Sequence, residues 1–316
     1  MNTRITVFLS VLLLTVCAHA TPLTVVQTLG GDEGDILLHN PSWIRFAADG
    51  SAYVLNEGEC QVLRFDADWE LLDEFGRCGE GPGEFSSPTG MIIHHDDVWV
   101  FELARITVFG LDGEYKRTMT RGNQLAAAEV IDGRIFARLG AGDRTGVILD
   151  ENGDIVEYIG DECPVDFFSS FKECRNVQIL PHPDGMCLLS NLVDGRVAVV
   201  GDDGLPHRES YVIDKDDDSV MSKSDDGESV TMQLSLGMGY GCRDAAGRYW
   251  FGHYEGEDDP MVVTVLDASL ERMIPDFEMP EGVSSWMMFP TPAGRLLLVS
   301  TGESTIYVCD VVEEGF

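Results

Sequence analysis

Short apolar runs separated by tight turns recur along almost the whole chain. Six turn signals, for example Asp49-Gly50 and Ala246-Gly247, each precede a β-rich run, and successive signals lie 36 to 62 residues apart. Another β-rich run comes before each of these runs and a third comes after it, and a fourth follows in five of the six repeats. Apart from the N-terminal segment, no long stretch has the 3.6-residue apolar period of an amphipathic helix. The pattern therefore predicts strands throughout and disfavours an α/β fold.

Four strands joined by tight turns and repeated every ~40–50 residues are typical of β-propeller blades. The sixth repeat lacks its fourth run, because only a short tail follows Cys309, and the run from Leu23 to Leu29 can supply it. Such a closure removes the exposed strand edges of an open array. We therefore predict an all-β six-bladed β-propeller with four-stranded antiparallel blades, formed by residues 21–316 and closed by the N-terminal strand.

A glycine-rich crossing at residues 75–91 joins the first two repeats. Five glycines and Pro82 shape the crossing, and Phe85 is expected to anchor it under the sheet; a weaker copy lies at residues 29–41. Phe75-Gly76, Gly79 to Phe85 and Pro88-Thr89-Gly90-Met91 resemble the crossing of NHL-type repeats in exported bacterial six-bladed propellers. The resemblance implies the fold, and one fold serves many functions.

The longest interruption of the repeat pattern is an acidic segment at about residues 214–236. Asp214, Asp216 and Asp218 imitate the start of an EF-hand loop, but Ser219 stands where that loop requires glycine and no helical pattern flanks it. We expect a solvated acidic surface insertion here.

The first twenty residues have the pattern of a cleaved signal peptide. Arg4 precedes an apolar stretch that ends at Cys17, and Ala18-His19-Ala20 forms an A-x-A cleavage site. Lipidation at Cys17 is the alternative, but Val16 stands where a small residue is normally found. We expect export to the periplasm or the extracellular space.

The formal charge of −34 narrows the classes of partner. Such an acidic chain repels nucleic acid and anionic lipid, so we expect no nucleic-acid partner, and no apolar run predicts a membrane span in the mature protein. It attracts cations or basic partners, but we favour the plainer interpretation that the charge keeps a monomer soluble.

Seven cysteines follow the signal segment, and export permits disulfides. Cys163 and Cys174 bracket one loop and form the first candidate pair, and Cys60 and Cys78 form the second. Cys309 sits in an apolar strand pattern and is expected to be a buried thiol. No C-x-x-C motif occurs, so a zinc ribbon or a thioredoxin-type site has no support.

Loops after the second strand of each blade converge on one mouth of a propeller's channel. Polar or amphipathic residues occupy these positions and the starts of the first strands, which suits a ligand-lined funnel. The candidate ligand-binding residues are Asn56, Glu102, Arg138, Asn191, His253, Thr301, Trp43, Thr89, Asn176, Tyr240 and Trp286. Loop positions are also polar in any soluble protein, which is the plainer interpretation.

Glu102, Asn56 and Asn191 could offer oxygen ligands to Ca²⁺ at this mouth, in the manner of six-bladed lactonase-type hydrolases, but Arg138 among them would repel a cation. His94, His95 and His182 fall on the opposite face, at the turns between first and second strands. We expect them to be exposed turn histidines, with metal binding as the alternative.

We therefore expect a binding or scaffold module rather than an enzyme, which holds a small molecule, a peptide or a protein at the channel mouth. One alternative is a Ca²⁺-dependent hydrolase, lactonase or lyase. The other is an extracellular protein–protein interaction module that has no small ligand.

Overall fold

The structure is a computed structural model whose strands form a closed ring of six sheets. It describes residues 22–31, 36–121, 125–139, 144–162, 177–184, 187–191, 195–201, 205–212, 222–223, 230–231, 238–254, 260–283 and 287–312. The prediction of an all-β six-bladed propeller with antiparallel four-stranded blades is confirmed. Among these residues no helix is long and apolar enough to cross a membrane.

Each blade places its strands side by side in chain order. The chain begins with β1 (Leu23–Gly30), and blade one then consists of β2 (Pro41–Phe46), β3 (Ala52–Asn56), β4 (Gln61–Phe65) and β5 (Leu71–Phe75). Blade two consists of β6 (Pro88–His94), β7 (Asp97–Glu102), β8 (Arg105–Gly110) and β9 (Tyr115–Thr120). Blade three consists of β10 (Leu125–Ile131), β11 (Arg134–Leu139), β12 (Arg144–Leu149) and β13 (Ile155–Glu162).

The second half of the ring follows the same plan. Blade four consists of β14 (Val177–Leu180), β15 (Cys187–Asn191), β16 (Arg196–Val200) and β17 (Pro206–Tyr211). A two-stranded sheet, β18 (Ser222–Lys223) and β19 (Val230–Thr231), lies within the predicted acidic insertion. Blade five consists of β20 (Cys242–Arg243), β21 (Tyr249–His253), β22 (Val262–Leu266) and β23 (Phe277–Glu278), and blade six begins with β24 (Met287–Pro290), β25 (Leu296–Ser300) and β26 (Thr305–Val311).

The N-terminal strand β1 (Leu23–Gly30) completes blade six, as the sequence predicts. It pairs antiparallel with β26, with Leu23 opposite Val311 and Gly30 opposite Thr305, and a bulge interrupts the register between Val25 and Gln27. Leu23 and Leu29 point inward and are buried. The first strand of the chain therefore holds the last blade in the ring.

Burial follows the order of strands within a blade. The second strands β3, β21 and β25 are buried along their whole length, because neighbouring blades cover both of their faces. The outermost strand β5 has four exposed residues in five. This explains why apolar residues run continuously through the second strands instead of alternating.

The crossing at residues 75–91 is built as predicted around Phe85, which is fully buried. Gly76 has φ +87°, and a Cβ added there would lie 2.6 Å from the Phe85 ring, so this position needs glycine for two reasons. The Cys60–Cys78 disulfide is present and ties the crossing to the loop after β3. Residues 163 and 174, the other candidate pair, lie outside the described residues.

One expectation about the turn histidines is wrong. His94 and His182 are 6% and 5% exposed, while His95 is exposed. His94 packs edge-on against Trp99, with ring centroids 5.8 Å apart, and His182 stacks on Tyr249 at 5.9 Å. His94 ends β6 and His182 follows β14 by two residues, and each ring packs against an aromatic side chain of a second strand, Trp99 of β7 and Tyr249 of β21.

Candidate functional site

The strand register places the predicted mouth residues at one end of the blades. Asn56 lies opposite Pro41, Glu102 opposite Pro88, and Asn191 opposite Val177 in their respective sheets. This is the end at which the chain enters each innermost strand. Of the other candidates, Trp286 and Asn176 lie outside the described residues.

Glu102 is held by protein contacts at this end. One carboxylate oxygen accepts hydrogen bonds from the backbone N–H groups of Ser86 and Ser87 at 2.9 and 3.3 Å, and the other is paired with the Arg105 guanidinium. Burial alone would raise the pKa of Glu102, but the hydrogen bonds from Arg105 and the two N–H groups hold it below its ordinary value. The carboxylate thus links Ser86 and Ser87 of the crossing to blade two.

Asn56 and His253 are also engaged within the protein. The Asn56 side chain accepts from the His39 N–H at 2.7 Å and donates to the Leu37 carbonyl at 3.2 Å. His253 is 2% exposed and lies 2.9 Å from the Thr264 hydroxyl.

The remaining predicted residues have mixed surroundings. Thr89 donates to the Phe101 carbonyl at 3.4 Å, and Thr301 lies in the turn before β26, where its carbonyl accepts from the Ser304 N–H. Arg138, near the end of β11, has a buried Nε with no hydrogen-bond partner. Because Glu102 and Asn56 already have complete sets of protein partners, their oxygens fit a structural role better than Ca²⁺ coordination.

A cavity of about 400 Å³ opens at the other end of the innermost strands. Its wall comes from inner strands of five blades, β2, β10, β14, β20 and β24, and from the turns that follow β14, β20 and β24. The residues that line it are Trp43, Ile44, Arg45, Phe46, Glu129, Gln178, Leu180, Pro181, Gly241, Cys242, Arg243, Asp244, Ala245, Met288, Phe289, Pro290, Thr291 and Pro292.

The inner strands of blades two and three pack closely, and β6 contributes no residue to the cavity wall. Gly90 on β6 faces Ala127 on β10, and a Cβ at Gly90 would lie 3.1 Å from the Ala127 Cα. Small residues at this contact let the two backbones approach.

One wall of the cavity is aromatic. Trp43 lies edge-on to Tyr240 and Phe289, with ring centroids 5.2 and 6.2 Å apart. The Arg45 guanidinium sits over the Trp43 and Phe289 rings at 5.2 and 5.7 Å. These contacts hold the Arg45 cation against the π faces of the two rings and leave a flat apolar surface beside it.

Arg45 and Asp244 of the cavity wall each form an ion pair within the protein. Arg45 pairs with Glu129 across the channel at 2.9 Å. Asp244, which is 7% exposed, accepts from the Arg248 Nε at 2.6 Å and from the Trp250 indole N–H at 2.8 Å. Arg45 and Asp244 each therefore have a partner of opposite charge.

Arg243 is different, because no carboxylate of the described residues lies within salt-bridge distance of it. Its guanidinium lies over the Tyr249 ring at 5.9 Å and near the Tyr249 hydroxyl, which donates to the Pro181 carbonyl at 2.7 Å. Its Nε is buried without a partner. Burial raises the pKa of Tyr249, so the phenol stays neutral beside this cation. Arg243 is therefore a cation of the cavity wall that has no carboxylate partner among the described residues.

Of the residues that the sequence singled out, Trp43 lines this cavity and Tyr240 packs behind it. Arg45 and Arg243 were missed. A signal for both is present in the sequence, since each arginine interrupts an apolar innermost strand, in Trp-Ile-Arg-Phe and in Gly-Cys-Arg. A charge in that position needs a buried partner or a ligand.

Comparisons with known proteins identify the fold and no family. No family model matches the chain, and no curated protein matches it. A DUF4221-family protein of Bacteroides vulgatus ATCC 8482 superposes with a TM-score of 0.59 at 13% identity over 91% of this chain and 97% of that one. A presumed exported protein of Bacteroides fragilis NCTC 9343 gives 0.57 at 12% identity over 81% and 76%.

Virginiamycin B lyase of Staphylococcus aureus gives a TM-score of 0.54 at 13% identity, covering 91% of this chain and 99% of the lyase. Propellers of this kind thus include an enzyme as well as a protein named for export. At such low identity the likeness extends to the fold alone. By both its strand topology and these similarities, the chain is a six-bladed β-propeller.

Proposed function

We propose that the protein is a binding module that holds a small organic anion with a flat apolar part in the channel cavity. The observation that carries the proposal is the unpaired Arg243 beside an aromatic wall, in a chain whose formal charge is −34. A cation kept in a cavity of so acidic a protein suits the recognition of carboxylate or phosphate.

The size of the cavity supports a small molecule. Small-molecule pockets typically enclose about 300–1,000 Å³ with mostly apolar walls and a few placed polar groups. The cavity, at about 400 Å³, has this character: Trp43 and Phe289 offer the apolar surface, and Arg243 and Gln178 stand among the polar residues. Gln178 is itself fixed by two hydrogen bonds with Gly241, which keeps this wall rigid.

Binding can be measured with flat aromatic anions as probes. Ligand-observed NMR of 1-naphthoate, naphthyl phosphate and the uncharged methyl 1-naphthoate should show saturation transfer for the two anions and less for the ester. Arg243→Gln should weaken binding of the anions about tenfold or more, because a hydrogen bond to a charged group contributes about 1.5–3 kcal/mol.

Arg295→Gln is the matched control. Arg295 lies just before β25, at the close of the turn that begins at Thr291, and its charge is paired with Asp310 at 2.7 Å. Binding of the anions should be unchanged in this variant. If no aromatic anion of the panel binds, or if Arg243→Gln binds them as tightly as the parent chain does, the proposed function is wrong.

We also propose that the protein works outside the cytoplasm. The signal-like residues 1–20 lie outside the described residues, but the Cys60–Cys78 disulfide is typical of oxidising compartments. Fractionation of the producing cells, followed by mass spectrometry of the purified protein, should find it outside the cytoplasm with Thr21 at its N-terminus. A cytoplasmic protein that retains Met1 would contradict this.

A further inference from the structure

A cluster of two histidines and a glutamate bridges blades two and three, away from the channel cavity. His94 ends β6, His95 begins the turn to β7, and Glu151 lies in the turn between β12 and β13. One ligand atom from each of the three side chains lies within 4.8 Å of the other two. We propose that this cluster binds a divalent transition-metal ion, with Zn²⁺ and Cu²⁺ as representatives.

The donor set selects this class of metal. Imidazole nitrogen suits Zn²⁺, Cu²⁺ and Ni²⁺, whereas Ca²⁺ and Mg²⁺ prefer sites made of oxygen alone. Three protein ligands leave a fourth tetrahedral position for water or for a group of another molecule. The chain's negative charge adds a general attraction for cations.

The geometry requires only a small adjustment. The His95 Nε2 and a Glu151 carboxylate oxygen are 3.6 Å apart, and the rings of His94 and His95 have centroids 4.1 Å apart. Zn²⁺ with ligands at about 2.0–2.1 Å in a tetrahedron holds them about 3.4 Å apart. The side chains of His95 and Glu151 are 71% and 78% exposed, so both can move at low cost to bring ligand atoms that lie up to 4.8 Å apart to this separation.

The backbone under the cluster is fixed. His95 has φ +55°, and its turn is closed by pairing of His94 with Asp97. The Glu151 turn is held by hydrogen bonds to Asp150, and its carbonyl accepts from the Arg117 Nη2 of blade two at 3.1 Å. A rigid backbone keeps the two turns in register and leaves the exposed side chains to complete the site.

His94 is the buried anchor of the cluster. It packs against Trp99 and forms no hydrogen bond with any described residue, so a ring nitrogen is available on the side of His95 and Glu151.

Calorimetric titration of the full chain with ZnCl₂ tests the proposal, using His95→Asn and Glu151→Gln. Asparagine tolerates positive φ, so His95→Asn removes the imidazole without straining the turn. We expect both variants to bind the tightest Zn²⁺ equivalent at least about tenfold more weakly, since loss of even an outer partner of a metal ligand costs 10–100-fold. CaCl₂ should not compete for this equivalent.

His39→Asn is the matched control, because His39 forms a similarly exposed pair with Glu59, at 3.1 Å, on another blade. It should bind Zn²⁺ as the parent chain does. In the parent chain, electron paramagnetic resonance of one bound Cu²⁺ equivalent should show two nitrogen ligands, and His95→Asn should show one.

Three results would overturn the site: Zn²⁺ affinity within about twofold of the parent in His95→Asn or in Glu151→Gln, an equal loss in His39→Asn, or a Cu²⁺ spectrum that His95→Asn does not change. Circular dichroism of each variant separates these outcomes from misfolding. Failure of this site would leave the channel proposal unaffected, because no residue of the cluster lines the cavity.

Discussion

Buried carboxylates in this propeller act mainly as structural groups that stabilise the ends of strands. Glu102 and Asp244 each combine an arginine partner with backbone or indole N–H donors, so the carboxylate is fully satisfied although it is barely exposed. Such groups resemble catalytic carboxylates in a sequence, because both kinds end a strand and face a loop. The contacts around them show which role each one has.

Replacing Glu102 with glutamine should destabilise the fold at neutral pH. The variant loses the ion pair with Arg105 and weakens the acceptor for the Ser86 N–H, and we expect a loss of about 1–3 kcal/mol in the free energy of unfolding. Urea unfolding measures it. Glu157→Gln, which breaks an exposed pair with Arg134, should cost under about 1 kcal/mol.

The same residue predicts a pH dependence. Because the pKa of Glu102 is lower in the folded protein than its ordinary value near 4.5, its contribution to stability is present above that value and is lost as the pH falls through the lowered pKa. The difference in unfolding free energy between the parent and Glu102→Gln should therefore shrink in acid. A difference that is constant from pH 7 to pH 3 would contradict this account of the site.

At the scale of elements, the crossing at residues 75–91 shows why a glycine pattern predicts shape better than function. Its glycines turn the chain from the outer strand of blade one to the inner strand of blade two over Phe85. The cation-bearing inner strands β2 and β20 have no comparable motif. Their single arginines indicate a binding site only when the ring brings them to one cavity.

The two demands on Gly76 can be separated by experiment. Gly76 and Gly50 have nearly the same φ, +87° and +88°, but a Cβ at Gly50 meets nothing within 4 Å, whereas one at Gly76 meets the Phe85 ring and the Cys60 carbonyl. Gly50→Ala should cost about 1–2 kcal/mol from backbone strain alone. Gly76→Ala should cost at least about 1 kcal/mol more, because the ring must move.

Thermal and urea unfolding of the two variants measure the difference. Equal losses would mean that Phe85 can shift without cost and that the crossing is not held by this contact. The comparison needs no ligand, so it tests the architecture independently of either proposal.

At the scale of the whole molecule, closure by β1 makes the ring cooperative. Removing residues 22–30 exposes the edge of β26 and unburies the contacts of Leu23 and Leu29. We expect a loss of several kcal/mol, since truncating one buried leucine alone costs about 2–5 kcal/mol, together with self-association through the open edge. Unfolding curves and light scattering during gel filtration measure both effects.

Val26→Asp is the control for this deletion. Val26 lies at the bulge of β1 and is 45% exposed, so a charge there keeps the pairing with β26 intact. The variant should stay monomeric and close to the parent in stability. A deletion variant that unfolds like the parent chain would show that closure does not depend on β1.

Much of the architecture could be predicted from local sequence, because a blade is built from neighbouring strands. The turn dipeptides, the apolar runs, the missing fourth strand after Cys309 and the Cys60–Cys78 pair all depend on contacts within one repeat or between adjacent ends. Blade five is less regular than predicted, since β23 consists only of Phe277 and Glu278. The NHL-type resemblance of the crossing stays a prediction.

The sequence by itself determined that this chain is a six-bladed propeller closed by its first strand, because local turns and strand periodicity specify the blades. Only the tertiary structure decided where the cavity lies. Inner strands of five blades form its wall and bring together Arg45 and Arg243, which are about 200 residues apart in the chain. No local pattern encodes the distance between such residues, because it depends on how all six blades pack.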